Sequence, residues 1–195
     1  MNVLLKRYKQ KYNKVRDDMA RWDQCHCRLL SQFGNAVSII ERLPMLMDSK
    51  NYGMLKCVDG INDALIGKQM VSLQRIFSSM KETMAEFLDV VLSLGKIVRD
   101  SQQQLKSGSL SPSKQQTQLR IGISPSIAMC VDGLKAIYDM HQAEYLLKSS
   151  LISAVSWESS SNDIIAIRQL LIDQPNIPKD EVQLIFNIIF PEDVC

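Results

Sequence analysis

Aromatic residues make up only 6% of this 195-residue chain, which also holds just 8 glycines, 6 prolines and 2 histidines. Few glycines and prolines leave too few turn residues for a fold of many short strands. Scarce aromatics remove the large rings that fill β-sandwich cores. There is no Gly-x-Ser-x-Gly elbow, no phosphate-cradling glycine loop and no His-Glu-x-x-His, so no motif with a known catalytic mechanism is present. An enzyme is not expected, and no catalytic, cofactor-binding or metal-ligating residue is assigned. The sequence has no run approaching 18 apolar residues, so no membrane span or membrane partner is expected. The start, "MNVLLKRYKQ", lacks the apolar core of a signal peptide. Asn2 excludes myristoylation and the terminal Cys195 is no prenylation box. Five cysteines, an odd number without framework spacing, fit a reduced compartment. The expected location is cytoplasmic and nuclear.

What is abundant points to helices. Hydrophobic residues reach 46%, and ten of them are methionines, flexible side chains that fill helix–helix gaps. Three long stretches carry apolar residues in alternating steps of four and three, the 3.5-residue period of a bundle helix. In residues 2–42 the seam is Tyr8, Tyr12, Val15, Met19, Trp22, His26, Leu29, Phe33, Ala36 and Ile40, with an end expected at Pro44. From Lys68 to Leu105 it is Met70, Leu73, Phe77, Met80, Met84, Phe87, Val91, Leu94 and Val98. The third, after "ISPS", is Ile127, Val131, Leu134, Tyr138, His141, Tyr145, Lys148, Ile152 and Val155, with Ser124 as expected N-cap and Pro125 in the first turn. A short helix is expected over about 50–66, weakened by Gly60 and Gly67.

Residues 101–123 contain no acid, little apolar content and many Ser and Gln, which marks 106–123 as a flexible linker inside the domain. Two short segments follow. "IIAIRQLLID" is capped by Asn162 or Asp163, and "PKDEVQLIFNIIF" opens with Pro178 and acids in its first turn. They read as a C-terminal helical hairpin over 162–190. The expected architecture is one all-α domain over 1–195: a bundle of three long antiparallel helices, a short connecting helix and this hairpin.

Net charge is only +2, but it is uneven. Residues 1–28 hold eight basic against three acidic residues, and residues 157–195 hold two basic against seven acidic. Such asymmetry suggests a basic arm or pairing of the two ends. The arm, "KRYKQKYNKVR", offers Lys6, Arg7, Lys9, Lys11, Lys14 and Arg16 with Tyr8 and Tyr12 between them. RNA contact is one reading, since cations attract phosphate and tyrosines stack on bases. A solvated helix face is the favoured one, because both tyrosines lie on the seam. "WDQCHC" resembles a metal motif, but on a helix Cys25 and Cys27 lie about 200° apart and cannot share an ion. Ser111-Pro112 in the linker is a common proline-directed phosphorylation pattern. The dense apolar run "LIFNIIF" either completes the bundle or docks a partner, which makes Ile185, Phe186 and Ile189 candidate partner-binding residues.

The order of these segments resembles the AIRIM family of ribosome maturation factors. The resemblance is carried by "SPSIA" opening a long helix, by "EYLLKSSLISAVSW" ending at Trp157, and by "IPKDEVQLIFNIIF", with a fainter echo in "RWDQCHCRLLSQ". It covers Ser124 to Phe190 most clearly. The resemblance implies a non-enzymatic adaptor subunit. Its implied partners are an AAA ATPase of the Afg-two type and a second small helical protein. The complex it implies acts on cytoplasmic pre-60S particles and recycles their shuttling factors. A generic coiled-coil scaffold or tether, and an RNA-binding protein using the basic arm, remain the alternatives.

Overall fold

A computed structural model describes residues 2–107 and 125–191. Among them the chain forms α-helices and one 3-10 segment, with no strand. In order these are α1 (Asn2–Ile40), α2 (Leu43–Met47), the 3-10 segment Ser49–Cys57, α3 (Ile61–Ser107), α4 (Ile127–Ala154), α5 (Ser161–Asp173) and α6 (Lys179–Ile189). The protein is an all-α bundle of three long helices, as its three seams require.

The boundaries differ from expectation where local chemistry decides. Helix α1 ends at Ile40, and Pro44 sits in the first turn of α2, where its missing N–H costs nothing. The short helix expected over 50–66 does not form. Gly60 adopts φ 73°, a left-handed turn that glycine enters without penalty, and the residues from Ile61 onward join α3. Helix α3 then continues to Ser107, past the start of the expected linker. The remainder of that linker, Ser111-Pro112 and the expected cap Ser124 lie outside the described residues. The observed cap of α4 is Ser126, whose Oγ accepts from the Met129 N–H at 3.2 Å. Helix α5 starts with a reciprocal capping box. Asp163 N–H donates to Ser160 Oγ, and Ser160 N–H donates to the Asp163 carboxylate. Asp163 is therefore the third-position partner, and Ser160 is the cap.

The chain divides into two compact units. The first draws on Met1–Asp23, Phe87–Leu146 and Gln174–Cys195. Its directions follow from its hydrogen bonds. Tyr8 meets Ser101 and Asp18 meets Ser93, so α1 and α3 run antiparallel. Tyr12 meets Cys130 and Trp22 meets His141, so α1 and α4 run parallel. Its core is the first half of seam one (Tyr8, Tyr12, Val15, Trp22), Phe87, Leu94 and Ile97 of α3, Ile127, Leu134 and Ile137 of α4, and Phe186 and Ile189 of α6.

The second unit comprises Gln24–Glu86 and Leu147–Asp173. Here Arg28 meets Glu86 and Gln32 meets Ser79, an antiparallel register of α1 and α3. Leu29, Phe33, Ala36, Leu73 and Met80 fill its core with Ile164, Ile167 and Leu171 of α5. Lys148, the one charged residue on seam three, is fully buried and donates to the Leu171 carbonyl at 3.4 Å. That carbonyl belongs to the last turn of α5, where a cation complements the helix dipole. Helices α5 and α6, read from the sequence as one hairpin, belong to different units.

Candidate interaction surface

The basic arm and the C-terminal helix meet in the first unit. Tyr12 is fully buried on α1, and its hydroxyl donates to the Cys130 carbonyl at 2.8 Å. Its ring packs edge-on against Phe186 and Phe190, with centroids at 5.7 and 6.4 Å. The Arg16 guanidinium lies over both phenylalanine rings, 4.4 Å from the Phe190 centroid and 5.1 Å from that of Phe186. Lys9 lies over Phe190 at 5.7 Å. The basic arm and the C-terminal segment therefore meet through contacts of cation with aromatic face.

This arrangement sorts the six basic-arm candidates. Lys9 lies over the ring of Phe190, which follows α6, and Arg16 over that ring and the ring of Phe186 within it. Lys11 donates to Ser101 Oγ at 2.8 Å and lies over Tyr8, and burial pulls its ammonium below the ordinary lysine range, with Asp100 opposing. Lys6, Arg7 and Lys14 remain exposed. Tyr8 and Tyr12 are buried and unavailable for base stacking. Burial pushes the Tyr8 hydroxyl up to about 12 and the Cys130 thiol up to about 11, and raises Tyr12 as well. All three stay protonated and neutral near pH 7, the two tyrosines as hydrogen-bond donors and Cys130 as a packing group.

The three partner-binding candidates differ in exposure and in the face of α6 they occupy. Phe186 is 7% exposed and Ile189 1%, both in the core, so neither is available on the surface of the isolated chain. Ile185 is half-buried. The reason is helical period. Val182, Phe186 and Ile189 follow i, i+4, i+7 and form one face, while Ile185 is turned about 100° from Phe186. The apolar residues of α6 that reach solvent are Leu184, 57% exposed, and Ile188, 36%.

A groove of about 290 Å³ opens between α4 and α6. Each wall is a helical stripe: Met129, Asp132, Gly133 and Ala136 on α4, and Glu181, Ile185, Ile188 and Ile189 on α6. Its floor is set by Gly133. A β-carbon there would stand 2.3 Å from the Tyr12 hydroxyl oxygen and 2.9 Å from Ile185 Cγ2, so the close approach of Tyr12 and α6 requires glycine. Two of the residues named from the sequence, Ile185 and Ile189, line this groove, but its α4 wall was not anticipated, and the i, i+4, i+7 spacing of Glu181, Ile185 and Ile188 was available to mark this face of α6.

Between these elements a buried polar network holds the loop before α6. Trp22 Nε1 donates to Gln174 Oε1 at 2.9 Å, and Gln174 adopts φ 45°. The Glu144 carboxylate accepts from the Asn176 backbone N–H and side-chain amide at 3.2 and 3.1 Å. His141 packs edge-on against Trp22 at 4.9 Å, and its Nδ1 lies 2.7 Å from the Ile137 carbonyl. A carbonyl only accepts, so Nδ1 carries the proton. Burial pulls the imidazole below its ordinary range, opposed by that hydrogen bond and by Asp23 and Glu144.

In the second unit, Cys25 is buried beside Arg28 and Glu86 while Cys27 is exposed, so the two thiols part as a helix dictates. Among the described residues no group of three His, Cys, Asp or Glu is arranged to hold a metal ion. No described helix is long and apolar enough to cross a membrane.

No curated protein matches the chain significantly. A family model does: that of the CA109-like family, described as ribosome biogenesis protein C1orf109-like, matches residues 2–194. The match takes in every described helix, and the chain belongs to this family of ribosome biogenesis proteins, the one that the AIRIM-like segments indicated.

Proposed function

We propose that the chain is a non-enzymatic adaptor subunit of an AAA-ATPase complex that matures the large ribosomal subunit in the cytoplasm and returns its shuttling factors to the nucleus. The observation that carries this reading is the groove between α4 and α6. It is an apolar trough with a carboxylate on each wall, on a unit whose buried polar groups are engaged in holding helices together. Such a surface suits docking rather than turnover. Membership in a ribosome biogenesis family supports the setting, and the family resemblance supplies the ATPase of the Afg-two type and the second helical subunit as partners. The protein works where those partners do, in cytoplasm and nucleus.

Purification of the tagged chain at endogenous level tests this. Stoichiometric recovery of an AAA ATPase with large-subunit precursors is expected. Recovery of neither, or of small-subunit precursors alone, contradicts the adaptor role. RNA contact through Lys6, Arg7 and Lys14 is separated by salt, because phosphate contacts weaken steeply between about 50 and 200 mM.

A further inference from the structure

We propose that the groove between α4 and α6 receives a helix of a partner protein that presents an aliphatic side chain flanked by lysine or arginine. The inference rests on the adaptor reading and specifies where and by what chemistry docking occurs. Three features select this occupant. Size is the first. A groove of about 290 Å³ lies at the small end of the roughly 300–1,000 Å³ of pockets that enclose drug-sized ligands, room for one or two inserted side chains. Shape is the second. The walls are two helical stripes, Met129–Asp132–Ala136 and Glu181–Ile185–Ile188, a long track that matches the i, i+3/i+4, i+7 anchors of a helix laid in a groove.

Charge is the third. Asp132 stands on one wall and Glu181 on the other, both exposed, and no lysine or arginine is among the described residues that line the groove. Outside it, exposed Asp180 beside Glu181 is offset by Lys179, and Lys135 near Asp132 is paired with Asp139 at 2.7 Å, so the two wall carboxylates set the charge of the groove itself. An acidic helix or a nucleic-acid backbone is repelled there, whereas cations on either side of an apolar anchor meet a carboxylate on each wall. The basic helix α1 of a second copy fits poorly, because it carries Lys6, Arg7 and Lys14 outward while its apolar seam, Tyr8, Tyr12 and Val15, is buried and supplies no anchor.

The test uses the full chain reconstituted with the AAA ATPase and the second helical subunit. Two variants are compared with wild type: Ile188→Glu, which puts a charge into the apolar track, and the double change Asp132→Lys with Glu181→Lys, which reverses both walls. All three positions reach solvent, so the thermal melts of the free variants should match wild type. Asp89→Lys, an exposed acid outside the groove, is the control. Each groove variant should bind at least tenfold more weakly, and the control should not change. In the wild-type complex a carbodiimide, which joins carboxylates to amines without a spacer, should link Asp132 or Glu181 to a lysine in a partner helix. Wild-type affinity in both groove variants, with normal melts, overturns the groove proposal and leaves the adaptor reading standing. Cross-links that join Asp132 or Glu181 only to a second copy of this chain, at α1 or at the exposed Lys68 beside Val71 of α3, overturn it in favour of self-association. Failure of the wild-type chain to form any complex overturns both.

Discussion

Gly133→Ala isolates the contact on which the packing of the first unit turns. In an exposed helix interior this change stabilises by about 1 kcal/mol, because alanine is the better helix former. At position 133 the new methyl would stand 2.3 Å from the Tyr12 hydroxyl oxygen and 2.9 Å from Ile185 Cγ2. Neither neighbour retreats freely. Tyr12 is fully buried, its hydroxyl is committed to the Cys130 carbonyl at 2.8 Å, and its ring is held against Phe186 and Phe190. Overpacking a core costs about 1–3 kcal/mol, and a buried hydroxyl forced from its acceptor costs a further 1–3 kcal/mol or so. The expected net effect, after the helix gain, is a loss of about 1–5 kcal/mol, read as a lower urea midpoint at unchanged slope. Tyr12→Phe alone should cost about 1 kcal/mol for the lost hydrogen bond. In the double variant the closest clash is gone, because the hydroxyl oxygen nearest the new methyl has been removed. The methyl should then be far better tolerated, giving a coupling of about 1 kcal/mol or more. A Gly133→Ala protein more stable than wild type, or additive behaviour in the cycle, would refute the close-approach argument.

Three further outcomes follow from the same structure. Phe186→Ala should cost about 3–5 kcal/mol of stability, as for a buried phenylalanine, whereas Leu184→Ser should stay within about 0.5 kcal/mol; urea titration of both compares a core with a surface position of α6. His141 is held neutral, with its folded-state pKa below the unfolded value near 6.5, so the unfolded chain binds the extra proton first. Stability should therefore fall as pH drops below about 6.5, down to the folded-state value, and His141→Gln should flatten that slope in urea melts from pH 7.5 to 5. The Arg28–Glu86 pair is half exposed, and a double-mutant cycle should find less than about 1 kcal/mol of coupling, reduced further in 0.5 M salt.

Most of the fold is legible in the sequence because the three long helices are written by period. Tyr8 through Ile40, Met70 through Val98 and Ile127 through Val155 are seams of buried and half-buried positions, including the unpromising His141 and Lys148. Period says little about ends. Whether Ile61–Ile66 belongs to a separate helix is decided by the left-handed turn at Gly60, and the start of α4 by the Ser126 hydroxyl that accepts from the Met129 N–H. The interaction surface is less legible. The run "LIFNIIF" announces apolar density but not which side of α6 is covered, and that depends on Tyr12 and Gly133, more than forty residues distant. The basic arm shows the same limit, since whether a lysine is solvated or lies over a ring depends on where Phe190 falls.

The measurement that bears most directly on the adaptor role is where the chain travels when ATP hydrolysis stalls. Cells carrying an ATPase variant that binds ATP without cleaving it would be lysed and their particles separated on a sucrose gradient. If the chain links the ATPase to its substrate, both should shift together into fractions carrying large-subunit precursors and their shuttling factors, and depletion of the chain should release the ATPase from those fractions. If the ATPase loads onto the precursors equally well without it, or if the chain stays at the top of the gradient, the adaptor account is contradicted.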